Sequence, residues 1–250
     1  MAPQMKGKVA MITGSARGIG EAMARLFSSN GAAVALADVD LNRAAKVAQE
    51  ITESGGEAIA VKLNVASRKD VEAMIGETVK THGRIDILIN NAAINYSTPV
   101  EEVTDEDWDS ILAVNVKGVY NCSRSVISTM NRNNWGRIIN ISSSAGKMGG
   151  PVSSIHYSAS KAAVICMTKS FARHLASTTI TVNSIAPGAV ATDMAKLLSE
   201  EARQRAIEAI PLRRFAHPSE IAHVAMFLCS EEASYITGEI LDVNGGTVMD

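Results

Sequence analysis

Short runs that are apolar at nearly every position recur along the chain. They are KVAMIT (8–13), AAVALA (32–37), EAIAVKL (57–63), DILIN (86–90), RIINIS (137–142), ITVNSIA (180–186) and EILDV (239–243). A strand covered on both faces has no polar side to show, so such runs predict buried, parallel strands. Between them, apolar residues return at helical spacing over 18–29, 40–54, 68–82, 105–131, 156–175 and 218–229. SRKDVEAM and TDEDWDSI each open with a capping residue followed by early acids, the signature of a helix start. Strand and helix alternating this often predict one α/β domain over 1–250: a doubly wound parallel sheet of about seven strands with helices on both faces.

The alternation lapses only over 188–217, PGAVATDMAKLLSEEARQRAIEAIPLRRF with its flanking residues, where helical patches sit between prolines. A stretch of that kind beside a ligand site predicts a substrate lid. Composition adds limits. The 250 residues are 46% hydrophobic and 20% charged, with a formal net charge of −2, enough for one full core. There is no basic block to meet nucleic acid or an anionic membrane. No apolar run reaches spanning length and the start carries no secretory core, so a cytoplasmic protein is expected. Cys122, Cys166 and Cys229 are far apart in helical or apolar stretches and read as reduced packing residues. The five histidines show no ligand spacing, so no metal is expected.

TGSARGIG (13–20) follows the first strand and opens the first helix. Gly14, Gly18 and Gly20 would allow a tight turn, close approach of backbone to a pyrophosphate, and close helix–sheet packing; the helix start would offer free N–H groups to phosphate. Glycines alone would equally make a bare turn, and their place in a strand–turn–helix unit favours a dinucleotide. Asp38 closes the second strand. A carboxylate there can bond both ribose hydroxyls of an adenosine and would repel a 2′-phosphate, by about 4 kcal/mol at ~4 Å and effective dielectric ~20 before screening. Arg17, in the glycine loop, argues the other way. Asp38 aims at the ribose, so NAD is expected, with NADP less favoured. As a helix N-cap Asp38 would keep that role.

HYSASKAAV (156–164) puts Tyr157 and Lys161 one helical turn apart, on one face. Alone, such a pair is a surface hydrogen bond. SSS (142–144) alone is a strand-end turn. His156, a neighbour about 100° round the helix from Tyr157, reads as a rim or packing residue.

Taken in order, TGSARGIG, NNAA (90–93), Asn115 in LAVNVKG, NISSSAG (140–146), YSASK (157–161), PGAVATDM (187–194) and the closing GEILDVNGG closely resemble the short-chain dehydrogenase/reductase family, from about residue 6 to 247. The resemblance implies a single-domain Rossmann-type fold, hydride transfer between a nicotinamide and an alcohol or carbonyl, and a homotetramer or homodimer built through 105–131 and 156–175. It implies Asn115, Ser143, Tyr157 and Lys161 as the catalytic group. It implies cofactor contacts from Gly14, Ser15, Arg17, Gly18, Ile19, Gly20, Asp38, Asn64, Val65, Asn91, Ala92, Tyr157, Lys161, Ile185, Pro187, Gly188, Val190 and Thr192. Three positions depart from the family pattern: Ala93 for glycine, Asn64 for aspartate and Asn244 for aspartate. The loop before Tyr157 is one residue longer than usual, so counting from the strand selects Ser143 and counting back from Tyr157 selects Ser144. The strand fixes the serine end, which favours Ser143.

A phenol near pKa 10 must fall by about three units, roughly 4 kcal/mol, to act as a base at pH 7. One charge ~5 Å away supplies at most about 3 kcal/mol at effective dielectric 20, so Lys161 is marginal alone and sufficient with the positive ring of NAD⁺. Ser143 would hold the substrate oxygen, Lys161 the nicotinamide ribose, and Asn115 a water that relays protons. Substrate contacts are expected from Ser143, Ala145, Asn95, Ile155 and Met194, with Ile94, Met148, Gly188, Val190 and Leu198 nearby and Arg213 and Arg214 able to swing in. This lining is neutral and mostly apolar. It predicts an NAD(H)-dependent oxidoreductase acting on a secondary alcohol or ketone, of polyol, sugar or hydrophobic type. The alternatives are a 3-oxoacyl-[acyl-carrier-protein] reductase using NADPH and a catalytically silent nucleotide-binding scaffold or sensor.

Overall fold

In the computed structural model, which describes residues 5–96, 98–150, 154–192 and 199–249, the seven apolar runs form one sheet. Its strands are β1 (Val9–Thr13), β2 (Ala33–Asp38), β3 (Glu57–Lys62), β4 (Ile87–Asn90), β5 (Gly136–Ile141), β6 (Ile180–Pro187) and β7 (Ile240–Val243). All pair in parallel, in the order 3-2-1-4-5-6-7. The order reverses between β1 and β4, and the carboxyl ends of the strands open there into a crevice that receives ligands in doubly wound sheets.

The helices are α1 (Gly18–Ser29), α2 (Leu41–Glu53), α3 (Arg68–His82), α4 (Asp105–Leu112), α5 (Gly118–Asn133), α6 (Ala145–Met148), α7 (Ile155–His174), α8 (Glu200–Glu208) and α9 (Pro218–Leu228). One face of the sheet buries Ile12, Leu36 and Ile89 against Met23 and Phe27 of α1, Val47 of α2 and Ile221 of α9. The other buries Met11, Leu88 and Ile138 against Met74 of α3 and Val126 and Met130 of α5. Full burial of such side chains stabilises by roughly 1.5–3 kcal/mol each. The predicted caps are present: Ser67 accepts from the Asp70 amide at 3.3 Å and Thr104 from that of Asp107 at 3.1 Å.

The single helix expected over 105–131 differs. It is broken by a π turn at Ala113–Lys117 and runs on to Asn133. Asn115 lies in that turn, and π turns cluster at functional positions because they re-aim one side chain. Within 188–217 the described part contains α8 and an isolated parallel bridge, Val190 to Ala216, where no strand pairing was expected. Among the described residues no helix is long and apolar enough to cross a membrane.

Candidate active site

The glycine loop is clamped by β4. The Asn91 amide donates to the carbonyls of Thr13 at 3.0 Å and Gly14 at 2.8 Å, and the amides of Asn91 and Ala92 donate to the Thr13 hydroxyl at 3.0 and 3.1 Å. This closeness dictates the glycines. A Cβ at Gly20 would lie 2.2 Å from the Gly14 carbonyl oxygen, and one at Gly14, where φ is +65°, would lie 2.8 Å from Ala92 Cα. Gly18 also has positive φ and faces Thr192, whose methyl would be 3.3 Å from an added Cβ. Arg17 is exposed at the N-cap of α1, Ile19 packs against the core, and buried Ser15 keeps a hydroxyl with no partner among the described residues.

Asp38 is joined to the same loop. One carboxylate oxygen accepts from the Ala16 amide at 2.9 Å and the other from the Asp40 amide at 3.0 Å. The cap of α2 is Asp40, not Asp38: its side chain accepts from Arg43. Each Asp38 oxygen therefore retains accepting capacity toward a diol. Asn64 is exposed and accepts from the Ala66 amide at 3.0 Å, and Val65 is buried against Gly118. Ile185 and Pro187 are buried at the end of β6, and Gly188, Val190 and Thr192 continue toward the glycine loop. Asn244 serves its own turn, accepting from the Gly246 amide and donating to the Val248 carbonyl. A cradle of close-approach glycines, an unused buried hydroxyl and a carboxylate at the ribose position fit a nicotinamide dinucleotide.

At the ends of β5 and α7 the expected chemical group comes together. The Ser143 hydroxyl acts on the Tyr157 phenol as a hydrogen-bond partner, whereas the Ser144 amide donates to the Pro187 carbonyl, an arrangement that favours Ser143. Lys161 is 3% exposed; its ammonium donates to the Ile141 carbonyl at 2.8 Å and stands 5.6 Å from the Tyr157 ring centre. Burial lowers the Lys161 pKa to about 8. Burial also raises the Tyr157 phenol above its ordinary value, with the Ser143 hydrogen bond opposing it. In the protein by itself desolvation thus outweighs any help from Lys161, and the phenol is a proton donor at neutral pH.

Asn115 spends its amide on structure. It accepts from the Ile94 amide and donates to the Ile94 carbonyl, both at 2.9 Å, and donates to the Ser160 hydroxyl at 3.0 Å. Ser160 in turn donates to the Tyr157 carbonyl at 2.7 Å. Sequence reasoning missed Ser160 and Thr13, because small hydroxyl residues inside a motif carry no signal of their long-range partners.

Of the expected substrate contacts, Ile155 and Met148 are half-exposed at the rim, and Asn95 is half-buried, its carbonyl oxygen without a partner among the described residues. Ala145 is only 6% exposed, its amide donating to the Ser143 hydroxyl at 3.1 Å, so it shapes the serine turn more than an open wall. Met194 and Leu198 lie outside the described residues. Arg213 donates to the Glu208 carbonyl, and Arg214 makes a two-pronged bond to Glu220, so neither is loose in this arrangement.

The comparisons agree with this geometry. A family model described as enoyl-(acyl carrier protein) reductase matches residues 14–248. The chain is 40% identical over 246 residues to a 3-oxoacyl-[acyl-carrier-protein] reductase of Thermotoga maritima, spanning 98% of this chain and all of that one. It is 42% identical to the same-named protein of Aquifex aeolicus over 97% of this chain and 98% of the relative. A crystal structure of a 3-oxoacyl-[acyl-carrier protein] reductase from Brucella melitensis superposes with a TM-score of 0.94 at 34% identity, covering 99% and 94% of the two chains. These relatives overturn the leading expectation of an NAD(H)-dependent polyol, sugar or hydrophobic-ketone dehydrogenase and favour its acyl-thioester alternative. The physical reason is plain: the 3-oxo group of an acyl thioester is itself a neutral ketone with an apolar tail, so a neutral lining did not separate the two. With its strand order, glycine cradle and Ser143–Tyr157–Lys161 grouping, the chain belongs to the short-chain dehydrogenase/reductase family.

Proposed function

We propose that the protein reduces the 3-oxo group of an acyl thioester to a 3-hydroxyacyl thioester. The observation that carries the reading is the grouping of Ser143, Tyr157 and Lys161, whose phenol is a protonated acid at neutral pH. A group poised as an acid suits reduction, where an alkoxide must gain a proton. Similarity over nearly the whole chain to proteins named 3-oxoacyl reductases supports the thioester.

In this reading the glycine loop, Asn91, Ala92 and Asp38 hold the adenosine and pyrophosphate, and Pro187, Gly188, Val190 and Thr192 flank the nicotinamide. A reduced nicotinamide held there would supply hydride chemistry at the carbonyl carbon. Ser143 donates a hydrogen bond to the carbonyl oxygen, and Tyr157 delivers the proton to that oxygen as charge develops on it. Lys161 holds its charge beside the phenol and binds the nicotinamide ribose. Asn115 fixes the loop after β4 against α7. The Val190–Ala216 bridge ties the base of the stretch read as a substrate lid.

Asp38 supports NADH over NADPH, since a 2′-phosphate would sit against a carboxylate already anchored to two backbone amides. The test is oxidation of NADH and of NADPH, followed at 340 nm, with acetoacetyl thioesters on coenzyme A and on an acyl carrier protein. Turnover with NADH that disappears in Tyr157→Phe is the expected result. No turnover of either thioester with either nucleotide would remove the reading.

A further inference from the structure

The residue before Tyr157 is a fully buried histidine. His156 has no exposed surface, and its ring lies almost parallel to Trp108 of α4, with centroids 6.4 Å apart and planes at 14°. The ring of Tyr96, in the loop after β4, also lies near, with centroids 6.3 Å apart and planes at 34°. Neither ring nitrogen has a hydrogen-bond partner among the described residues. Among the described residues the first turn of α7 also lacks a side-chain cap, and buried Ser154 at the N-cap has no partner there for its hydroxyl. The turn that carries Tyr157 is therefore held at its start by ring faces, and further along by the Ser160–Asn115 contact.

We infer that His156 is a positioning residue for Tyr157, acting as a flat spacer between α4, the loop after β4 and the first turn of α7. The inference rests on the reading of Tyr157 as the proton donor. Adjacent helical side chains diverge by about 100°, so the imidazole does not share the phenol's partners. Both side chains nevertheless ride on one turn, and a change in the height of His156 displaces Tyr157 from Ser143. With neither nitrogen bonded among the described residues, ring shape is what His156 contributes. The elements packed against the ring carry charged groups: Asp105, Glu106, Asp107 and Asp109 on α4, Glu101 and Glu102 just before it, and Lys161 on α7.

The experiment compares His156→Phe, His156→Gln and His156→Ala in the full-length protein. His156→Phe keeps the ring and should hold kcat within about threefold, with an unchanged kcat–pH profile. His156→Ala and His156→Gln lose the ring and should drop kcat by about tenfold to a hundredfold, the cost of misplacing a reacting group by a fraction of an ångström to one ångström. The Kd for NADH, read by nicotinamide fluorescence, should stay within about twofold in all three, because the glycine loop is distant. A loss in His156→Phe as large as in His156→Ala, or a displaced profile there, would overturn the spacer and give the nitrogens a role. A second readout needs no turnover: the Tyr157 phenolate, isolated by ultraviolet difference against Tyr157→Phe. It should titrate alike in wild type and His156→Phe and at lower pH in His156→Ala, where water reaches the ring. If wild type reduces no thioester yet this pattern holds, the function fails and the spacer stands; if the phenolate titrates alike in all variants, the spacer fails.

Discussion

The Lys161 ammonium donates to the Ile141 carbonyl and stands 5.6 Å from the ring centre of Tyr157, with almost no solvent contact. A cation so placed costs stability in the protein by itself. Its pKa is about 8 when folded against 10.5 as an ordinary lysine, so between those values the unfolded chain binds more protons and stability rises with pH. Below pH 8 the penalty is present in full, on the order of 3 kcal/mol from 1.36 kcal/mol per unit. Lys161→Met should therefore raise the unfolding free energy at pH 7 by up to about that amount, and the gain should vanish as pH climbs from 8 toward 10.5. Urea denaturation at pH 7, 9 and 10.5 measures it, and turnover should be lost throughout.

Nucleotide selection is expected to follow the charge on Asp38. Asp38→Asn keeps an acceptor for the Ala16 or Asp40 amide and removes the charge. NADPH should bind about tenfold tighter, some 1.4 kcal/mol, while NADH weakens. Titrations of wild type and variant with each nucleotide decide this, and unchanged NADPH affinity would shift the selection to Arg17.

Two glycine-to-alanine changes should act oppositely. A Cβ at Gly146 would lie 2.7 Å from the Lys161 carbonyl carbon, so α6 must lift off α7. Gly146→Ala should lower kcat sharply by moving Ser143, three residues away. Gly76 of α3 has nothing within 4 Å of an added Cβ. Gly76→Ala should raise stability by about 0.5–1 kcal/mol without changing turnover. Thermal melts and steady-state kinetics of the pair test both statements.

Asn115→Ala would strip both hydrogen bonds from Ile94 and one from Ser160. With half-buried backbone groups left unpaired, a loss of about 2–3 kcal/mol is expected. Turnover should fall while the affinity for NADH, whose adenosine half is elsewhere, changes little. A fall in NADH affinity equal to that in kcat would contradict this division.

Much of this was legible in the sequence because the sheet is buried on both faces. The runs at 8–13 and 180–186 are short, rich in apolar and β-branched residues and bounded by turn residues, and their bounds fall within a residue or so of β1 and β6. The cofactor cradle was legible for a related reason: Gly14 and Gly20 stand where a single carbon would collide. What could not be read depended on distant partners. The π turn at Ala113–Lys117 exists because Asn115 answers Ile94 and Ser160, neither a neighbour in sequence. The preference for Ser143 over Ser144 turns on the phenol across the site, and the substrate class proposed above leans on the names of relatives, since a neutral lining suits many ketones.

The clamp of Asn91 on the glycine loop also sets an order of events during synthesis. Residues 9–38 contain β1, the loop, α1 and β2, yet the carbonyls of Thr13 and Gly14 find their holder 77 or more residues further on. While the ribosome has delivered only the first three strands, the nucleotide cradle has no back wall, and β1 has an open edge where β4 belongs. Cofactor abundance in the cell cannot rescue the nascent chain at that stage; its help begins once β4 has emerged and docked.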